Sequence, residues 1–160
     1  MHEWFKEIRV STVEIRQAKT ADIDSVAHLF DQYRQFYGQA PDLALATQFI
    51  GERITKQESV IFVAENAGEI VGFCQLYPTF CSVEAAKIAV LYDLFVAQSA
   101  RKTGMGAALM LAAQAHAQTQ SFARLDLSTA KTNINAQALY ENLGWTRDEE
   151  FYHYSLAIQT

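Results

Sequence analysis

The run Arg101-Lys102-Thr103-Gly104-Met105-Gly106-Ala107 sets two cations and two glycines where an apolar stretch ending at Val96 gives way to a long helical one. Backbone N–H groups at such a junction point outward with no side chain in front of them, and a helix start adds partial positive charge. That chemistry suits a phosphate or pyrophosphate. Just upstream, Asp93 interrupts the apolar run 88–96. A carboxylate there either takes a proton from a bound nucleophile or is a structural group satisfied by backbone donors, and the sequence leaves both open. Glu84, in the preceding loop, is a weaker base and reads as a solvated charge.

Two phosphate-binding patterns fail on this loop. A P-loop needs Gly-Lys-Ser/Thr, and Gly106 is followed by Ala107 and Ala108. A dinucleotide fingerprint needs a third glycine where Leu109 stands. Asp126 lies at a distance suited to a ribose contact, but the alternation of Arg124-Leu125-Asp126-Leu127-Ser128 puts it mid-strand. Arg101-x-x-Gly104-x-Gly106 instead resembles, at every defining position, the Arg/Gln-x-x-Gly-x-Gly/Ala pyrophosphate loop of the GNAT superfamily, the acyl-CoA-dependent N-acyltransferases. A second segment, Asn133-Ile134-Asn135-Ala136-Gln137-Ala138-Leu139-Tyr140-Glu141-Asn142-Leu143-Gly144-Trp145, resembles the same superfamily's Asn-x-x-Ala-x-x-Leu-Tyr-x-x-x-Gly-Phe/Trp pattern. A helix is expected there independently: Ala136, Leu139, Tyr140 and Leu143 recur with helical spacing, Thr132 or Asn133 can cap it, and Gly144 suits its end.

The resemblance runs from about residue 12 to residue 158 and looks nearest to the branch that acetylates small amines, such as spermidine/spermine acetyltransferases, on Asp93-Leu94-Phe95-Val96. That branch often carries a second carboxylate where this chain has Tyr92, which weakens the case for a polycationic acceptor, and Thr103 replaces a usual Gly or Arg. The resemblance implies acetyl-CoA as co-substrate and no metal. It implies that backbone N–H groups of Leu94, Phe95 and Val96 hold the thioester carbonyl and pantetheine amides, that Arg101, Lys102, Thr103, Gly104, Met105, Gly106 and Ala107 cradle the pyrophosphate, and that Asn133 bonds the cofactor. Tyr140 would protonate the departing thiolate, a phenol of pKa about 10 being an acid of suitable strength for a thiol of about 8.5. Asp93 would be the base.

These residues need elements to position them. Residues 12–18 alternate as a strand, 22–37 carry an amphipathic helical stripe, and 42–57 follow Pro41 as a second helix. Strands 59–65 and 69–76 flank Asn66-Ala67-Gly68, a hairpin signal. After Pro78 and a loop come a strand ending at Val96, helix 103–120, strand 124–128, the Tyr140 helix, and a last strand near 151–158. The order β-α-α-β-β-β-α-β-α-β is mixed α/β with an antiparallel first half. The family fold fits it: a mostly antiparallel, splayed central sheet flanked by helices, as a single domain over 12–160 behind an N-terminal arm, 1–11.

Composition agrees with a compact cytoplasmic enzyme. The chain has 160 residues, half of them hydrophobic, and a net charge of −5, which excludes the basic face that nucleic acid requires. The apolar runs are too short to span a bilayer, and residues 1–11, with Glu3, Lys6, Glu7 and Arg9, lack a signal-peptide core. Cys74 and Cys81 read as reduced thiols.

By analogy with the family, Tyr33, Tyr37 and Tyr77 would border the acceptor pocket, Phe36 and Phe80 would pack in the core, and Arg34 would suit a carboxylate-bearing acceptor. The expected function is transfer of acetyl from acetyl-CoA to a primary amine of a small molecule (a polyamine, amino acid or related amine) in a ternary complex. The alternatives are a protein or peptide N-acetyltransferase and a non-catalytic acyl-CoA sensor. A homodimer, paired through Phe151-Tyr152-His153-Tyr154, is expected by the same analogy.

Overall fold

The computed structural model describes residues 13–158, so the expected arm and Thr12 lie outside the described residues. The chain divides into two compact units, one running through Ser128 and one beginning at Thr129.

The first unit contains β1 (Val13–Gln17), α1 (Ile23–Phe36), α2 (Leu43–Thr55), β2 (Val60–Asn66), β3 (Glu69–Cys81), β4 (Ala86–Val96), α3 (Met105–Thr119) and β5 (Leu125–Asp126). The strands form one sheet in sequence order, antiparallel from β1 to β4, with β5 added parallel to β4. This is the mixed, mostly antiparallel sheet expected from the sequence. The Asn66-Ala67-Gly68-Glu69 hairpin closes with positive φ at both central residues (52° and 84°), the geometry whose twist matches the strands it joins.

Strand alternation puts the helices on opposite faces. Ile61, Val63, Phe73 and Phe95 pack with Val26 and Leu29 of α1 and Ile50 of α2. From the intervening positions, Phe62 meets His116 of α3, and the Cys74 thiol approaches the Leu109 carbonyl. An Asp31 carboxylate buried under the α1–α2 turn accepts from the Asp42 backbone N–H and from Gln35 and Arg34. It thereby fixes the start of α2.

Three boundaries differ from the sequence expectation. β3 runs through Pro78 to Cys81 rather than ending at Leu76. Past Leu76 it has no β2 neighbour, so the missing proline N–H costs no ladder bond there. β5 is two residues long rather than five. Residues 151–158 form no strand, and Phe151, Tyr152, Tyr154 and Leu156 are exposed. Alternation supplies a β propensity, but a strand also needs a hydrogen-bonding neighbour, and this segment has none among the described residues. Phe36 and Phe80, expected in the core, are also exposed, at 59% and 73%, because they lie at the end of α1 and near the tip of the β3–β4 hairpin.

Among the described residues the second unit holds one helix, α4 (Ile134–Asn142). Asn133 is its N-cap, and Gly144 ends it in the left-handed conformation (φ 87°), with Trp145 N–H donating to Tyr140 O at 3.0 Å.

Candidate active site

β4 carries a bulge. Gln75 pairs with Asp93 and Leu76 with Leu91, so Tyr92 is an extra residue on β4. Its side chain is exposed, while Asp93 turns inward and is 5% exposed. The Asp93 carboxylate accepts from Gln75 Nε2 at 2.6 Å, and Ser59 Oγ donates to Gln75 Oε1 at 2.6 Å. Ser59 thus sets which end of the amide faces the carboxylate. The Tyr33 hydroxyl donates to the bulge carbonyl of Tyr92 at 3.2 Å and also sits against Asp93. Burial pushes the Asp93 carboxyl up to about 6, and the bonds from Gln75 and Tyr33 partly offset that rise. Burial, helped by the Asp93 charge, pushes the Tyr33 phenol well above its usual range, so it stays protonated.

Asp93 lines a cavity of about 600 Å³ walled by Phe30, Phe49, Tyr77, Tyr92 and Val90, with Arg53 and Thr79 as its other polar members. Of the three tyrosines expected at an acceptor pocket, Tyr77 is in this wall and packs edge-on to Tyr92. Tyr33 also sits against Asp93, and Tyr37 packs edge-on to Tyr33 without lining the cavity. Arg34 is not in the wall; it pairs with Asp31 at 3.2 Å. Glu84 lies in the β3–β4 turn, ion-paired with Arg124. A hollow of about 660 Å³ in the second unit, around Trp145 and residues 146–150, holds no buried titratable group.

Sequence reading missed Gln75 and Arg53. Gln75 gave the same signal as Asp93, a polar residue inside an apolar strand run. Arg53 follows Phe49 by one helical turn, and its guanidinium lies 4.5 Å from the centre of that ring.

β4 pairs with β5 only at Ala89 and Val90, so its later residues have no β5 neighbour on that edge. Ala97 N–H donates to Val71 O across the β3 side, and alternation from there turns the Phe95 N–H toward β3. The N–H groups of Leu94 and Val96 therefore face the open edge. The edge leads into a short turn in which Arg101 Nε–H donates to Val96 O at 3.0 Å and the guanidinium lies 5.5 Å over the Phe95 ring. Lys102 and Gly104 take positive φ (62° and 84°), and Gly104 caps α3 with no side-chain bond to the helix amides. Thr103 spends its hydroxyl on Ala100 O. The first amides of α3, at Met105, Gly106 and Ala107, are consequently left for an external acceptor. A Cβ added at Gly104 would meet nothing within 4 Å, so the front of the helix is open. These residues fit a pyrophosphate.

In the second unit, Asn133 Oδ1 accepts from Ala136 N–H at 3.2 Å, leaving Nδ2 as its outward donor. Tyr140 lies with its ring 6.2 Å from that of Trp145. Among the described residues no group of three or more His, Cys, Asp or Glu side chains could hold a metal ion, and no helix is long and apolar enough to cross a membrane.

The model of the acetyltransferase (GNAT) family matches residues 23–145. The uncharacterized N-acetyltransferase YhfO of Bacillus subtilis (strain 168) is 47% identical over 146 residues, covering 91% of this chain and 98% of that protein. A crystal structure of a probable acetyltransferase is 36% identical with a TM-score of 0.85, covering 92% of this chain and 99% of the other. An aminoglycoside N-acetyltransferase solved in complex with CoA shares the fold at a TM-score of 0.78 and 20% identity, over 94% of this chain and 99% of its own. A buried carboxylate on a bulged strand, an open strand edge and a glycine-opened helix with no side-chain cap agree with a family match spanning most of the chain: the protein belongs to the acetyltransferase (GNAT) family and is an N-acetyltransferase.

Proposed function

We propose that the acceptor is a primary amine of a small molecule, acetylated by direct attack with both substrates bound. Asp93 carries this reading: it is a buried carboxylate lining an aromatic cavity, one bulge away from the open edge of β4. A lysine-like amine of pKa about 10.4 is neutral in only about one molecule in a thousand at pH 7, a cost of roughly 4 kcal/mol. Asp93, titrating near 6, is mostly ionised at neutral pH and takes that proton directly or through a water. The aromatic wall of Phe30, Phe49, Tyr77 and Tyr92 around a single carboxylate supports a small amine as the acceptor.

Acetyl-CoA, the acyl donor of the family, supplies the thioester when bound. Leu94 and Val96 N–H are the donors for its carbonyl and pantetheine amides, while Phe95 serves the core with its side chain and β3 with its N–H. Arg101, Lys102, Thr103, Gly104, Met105, Gly106 and Ala107 cradle the pyrophosphate. Tyr140 Oη gives its proton to the departing sulfur, and Asn133 Nδ2 bonds the donor's path. The family model spans residues 23–145, which supports reading 12–160 as a single acetyltransferase domain. A cytoplasmic homodimer, joined through the exposed aromatics of 151–154, completes the proposal.

The test is thiol release from acetyl-CoA against polyamines, amino acids, aminoglycosides and lysine peptides, with Asp93→Asn alongside. Release with small amines, lost in the variant, is the expected result. Release with peptides alone would replace the small-molecule reading, and acetyl-CoA binding with no release from any acceptor would favour a sensor.

A further inference from the structure

Arg53 is the cation of the acceptor cavity, and nothing else in that wall carries positive charge. Its place in α2 is fixed from three sides. The guanidinium lies over the Phe49 ring, Nη2 donates to Glu52 Oε2 at 3.1 Å, and Nε lies 2.8 Å from Glu58 Oε2. The last contact is an ion pair without a hydrogen bond, since the buried Nε–H is out of line with the carboxylate. Glu52 also holds Lys56 at 3.4 Å, and neither Glu52 nor Glu58 lines the cavity. Arg53 thus lines the cavity while the two carboxylates that pair with it do not.

A purely cationic acceptor, such as a polyamine, would bring its charge toward Arg53 and gain nothing from it. An acceptor bearing both an ammonium and an anion would instead meet Asp93 at one group and Arg53 at the other. Guanidinium is suited to that task, because its planar fork matches a carboxylate in two-point contact. We infer that the acceptor is an amino-carboxylate, its amine directed to Asp93 and its carboxylate held by Arg53. The inference rests on the N-acetyltransferase reading above and narrows its substrate class.

The test compares kcat/KM for the common free amino acids with kcat/KM for their carboxamides, which keep the amine and lose the negative charge. Spermidine and an aminoglycoside run as anion-free acceptors. The expected result is a preference of about tenfold to a hundredfold for at least one amino acid over its amide, the range that a charge-assisted hydrogen bond supplies. In Arg53→Gln the ratio should fall toward one, through KM rather than kcat, and Arg53→Lys should restore part of it. Acetyl-CoA affinity of each variant verifies folding. Equal use of acid and amide, preference for spermidine or the aminoglycoside, or a ratio that survives Arg53→Gln would overturn the inference while leaving acetyl transfer to small amines intact. Transfer to none of these acceptors would overturn both.

Discussion

Gln75 and Asp93 face each other across the β3–β4 pair, with the amide nitrogen 2.6 Å from the carboxylate, at the one position where β4 bulges. The bond favours the charged form of a carboxylate whose burial favours the neutral one. Removing the Gln75 donor therefore leaves only the Tyr33 hydroxyl to oppose desolvation. Gln75→Leu is expected to move the acid limb of the kcat/KM profile upward from about 6. Asp93→Asn should abolish that limb and lower kcat/KM by roughly 10²- to 10⁴-fold, the usual worth of a general base. A pH–rate series on the three proteins checks both, and an acid limb unmoved in Gln75→Leu would remove Asp93 from the profile.

The same carboxylate has a stability consequence of opposite sign to its catalytic one. Its folded pKa of about 6 lies above the ordinary 3.8, so the folded chain binds more protons between those values. The contribution is fully present below 3.8 and is lost as pH rises through about 6, a loss of about 3 kcal/mol at ~1.4 kcal/mol per unit. Asp93→Asn cannot ionise. It is expected to melt above wild type near pH 8, with the gap narrowing by about pH 4.5. Paired calorimetry at the two pH values checks the sign, and a variant less stable at both would contradict it.

The cradle is argued from Gly104. Its φ of 84° strains any L-residue, and the space in front of it is open. Gly104→Ala is expected to cost about 1–2 kcal/mol of stability. It should also raise KM for acetyl-CoA about tenfold, about 1.4 kcal/mol of binding, because relief of the strained φ shifts the turn that presents the first amides of α3. Calorimetry and steady-state kinetics separate the two effects, and an unchanged KM would place the pyrophosphate elsewhere.

What the sequence made legible was local. The glycine-opened helix, the 66–69 hairpin and the Asn133 cap each follow from a few neighbouring residues, and each formed where expected. Asp93 stood out because charge in an apolar run is visible in one dimension. Arg53 did not, because its importance comes from α2 crossing α1 to bring Phe49 against Phe30 (5.3 Å), a contact that spacing along the chain does not encode. Arg34 was the nearer cation in sequence to the aromatic cluster, yet it pairs with Asp31 one turn back on α1. The bulge at Tyr92 was equally invisible, since it depends on the register of β4 against β3. Residues 151–158 erred the other way, with strand-like alternation but no neighbour to pair with.

Gly72 tests whether the open edge of β4 is held in place from β3. A Cβ there would lie 3.1 Å from Phe95 O, 3.3 Å from Val96 Cγ2 and 3.4 Å from Leu109 Cδ1. Two of those atoms belong to the edge that presents Val96, and a backbone oxygen cannot swing aside as a side chain end can. Gly72→Val is expected to destabilise by about 1–3 kcal/mol, the cost of overpacking. It should raise KM for acetyl-CoA as the edge is pushed away from β3. Denaturant unfolding and donor-side kinetics check this, and a loss of stability alone would show that the edge moves without consequence for the donor.

Tyr140 separates an enzyme that assists its leaving group from one that does not. A thiolate of pKa about 8.5 can leave without a proton near neutral pH, so the acid matters most where the phenol is still protonated and the amine already neutral. Tyr140→Phe keeps the ring that lies 6.2 Å from Trp145, and thus the packing at the end of α4. It is expected to retain acetyl-CoA affinity and the acid limb set by Asp93. It should lose about 10²- to 10³-fold in kcat, within the range of general acid catalysis, and lose the alkaline limb. Calorimetric titration with acetyl-CoA and a pH profile of kcat measure these together. An unchanged kcat with an intact alkaline limb would leave the thiolate to depart unaided, and the role of Tyr140 would then be confined to closing α4 against Trp145.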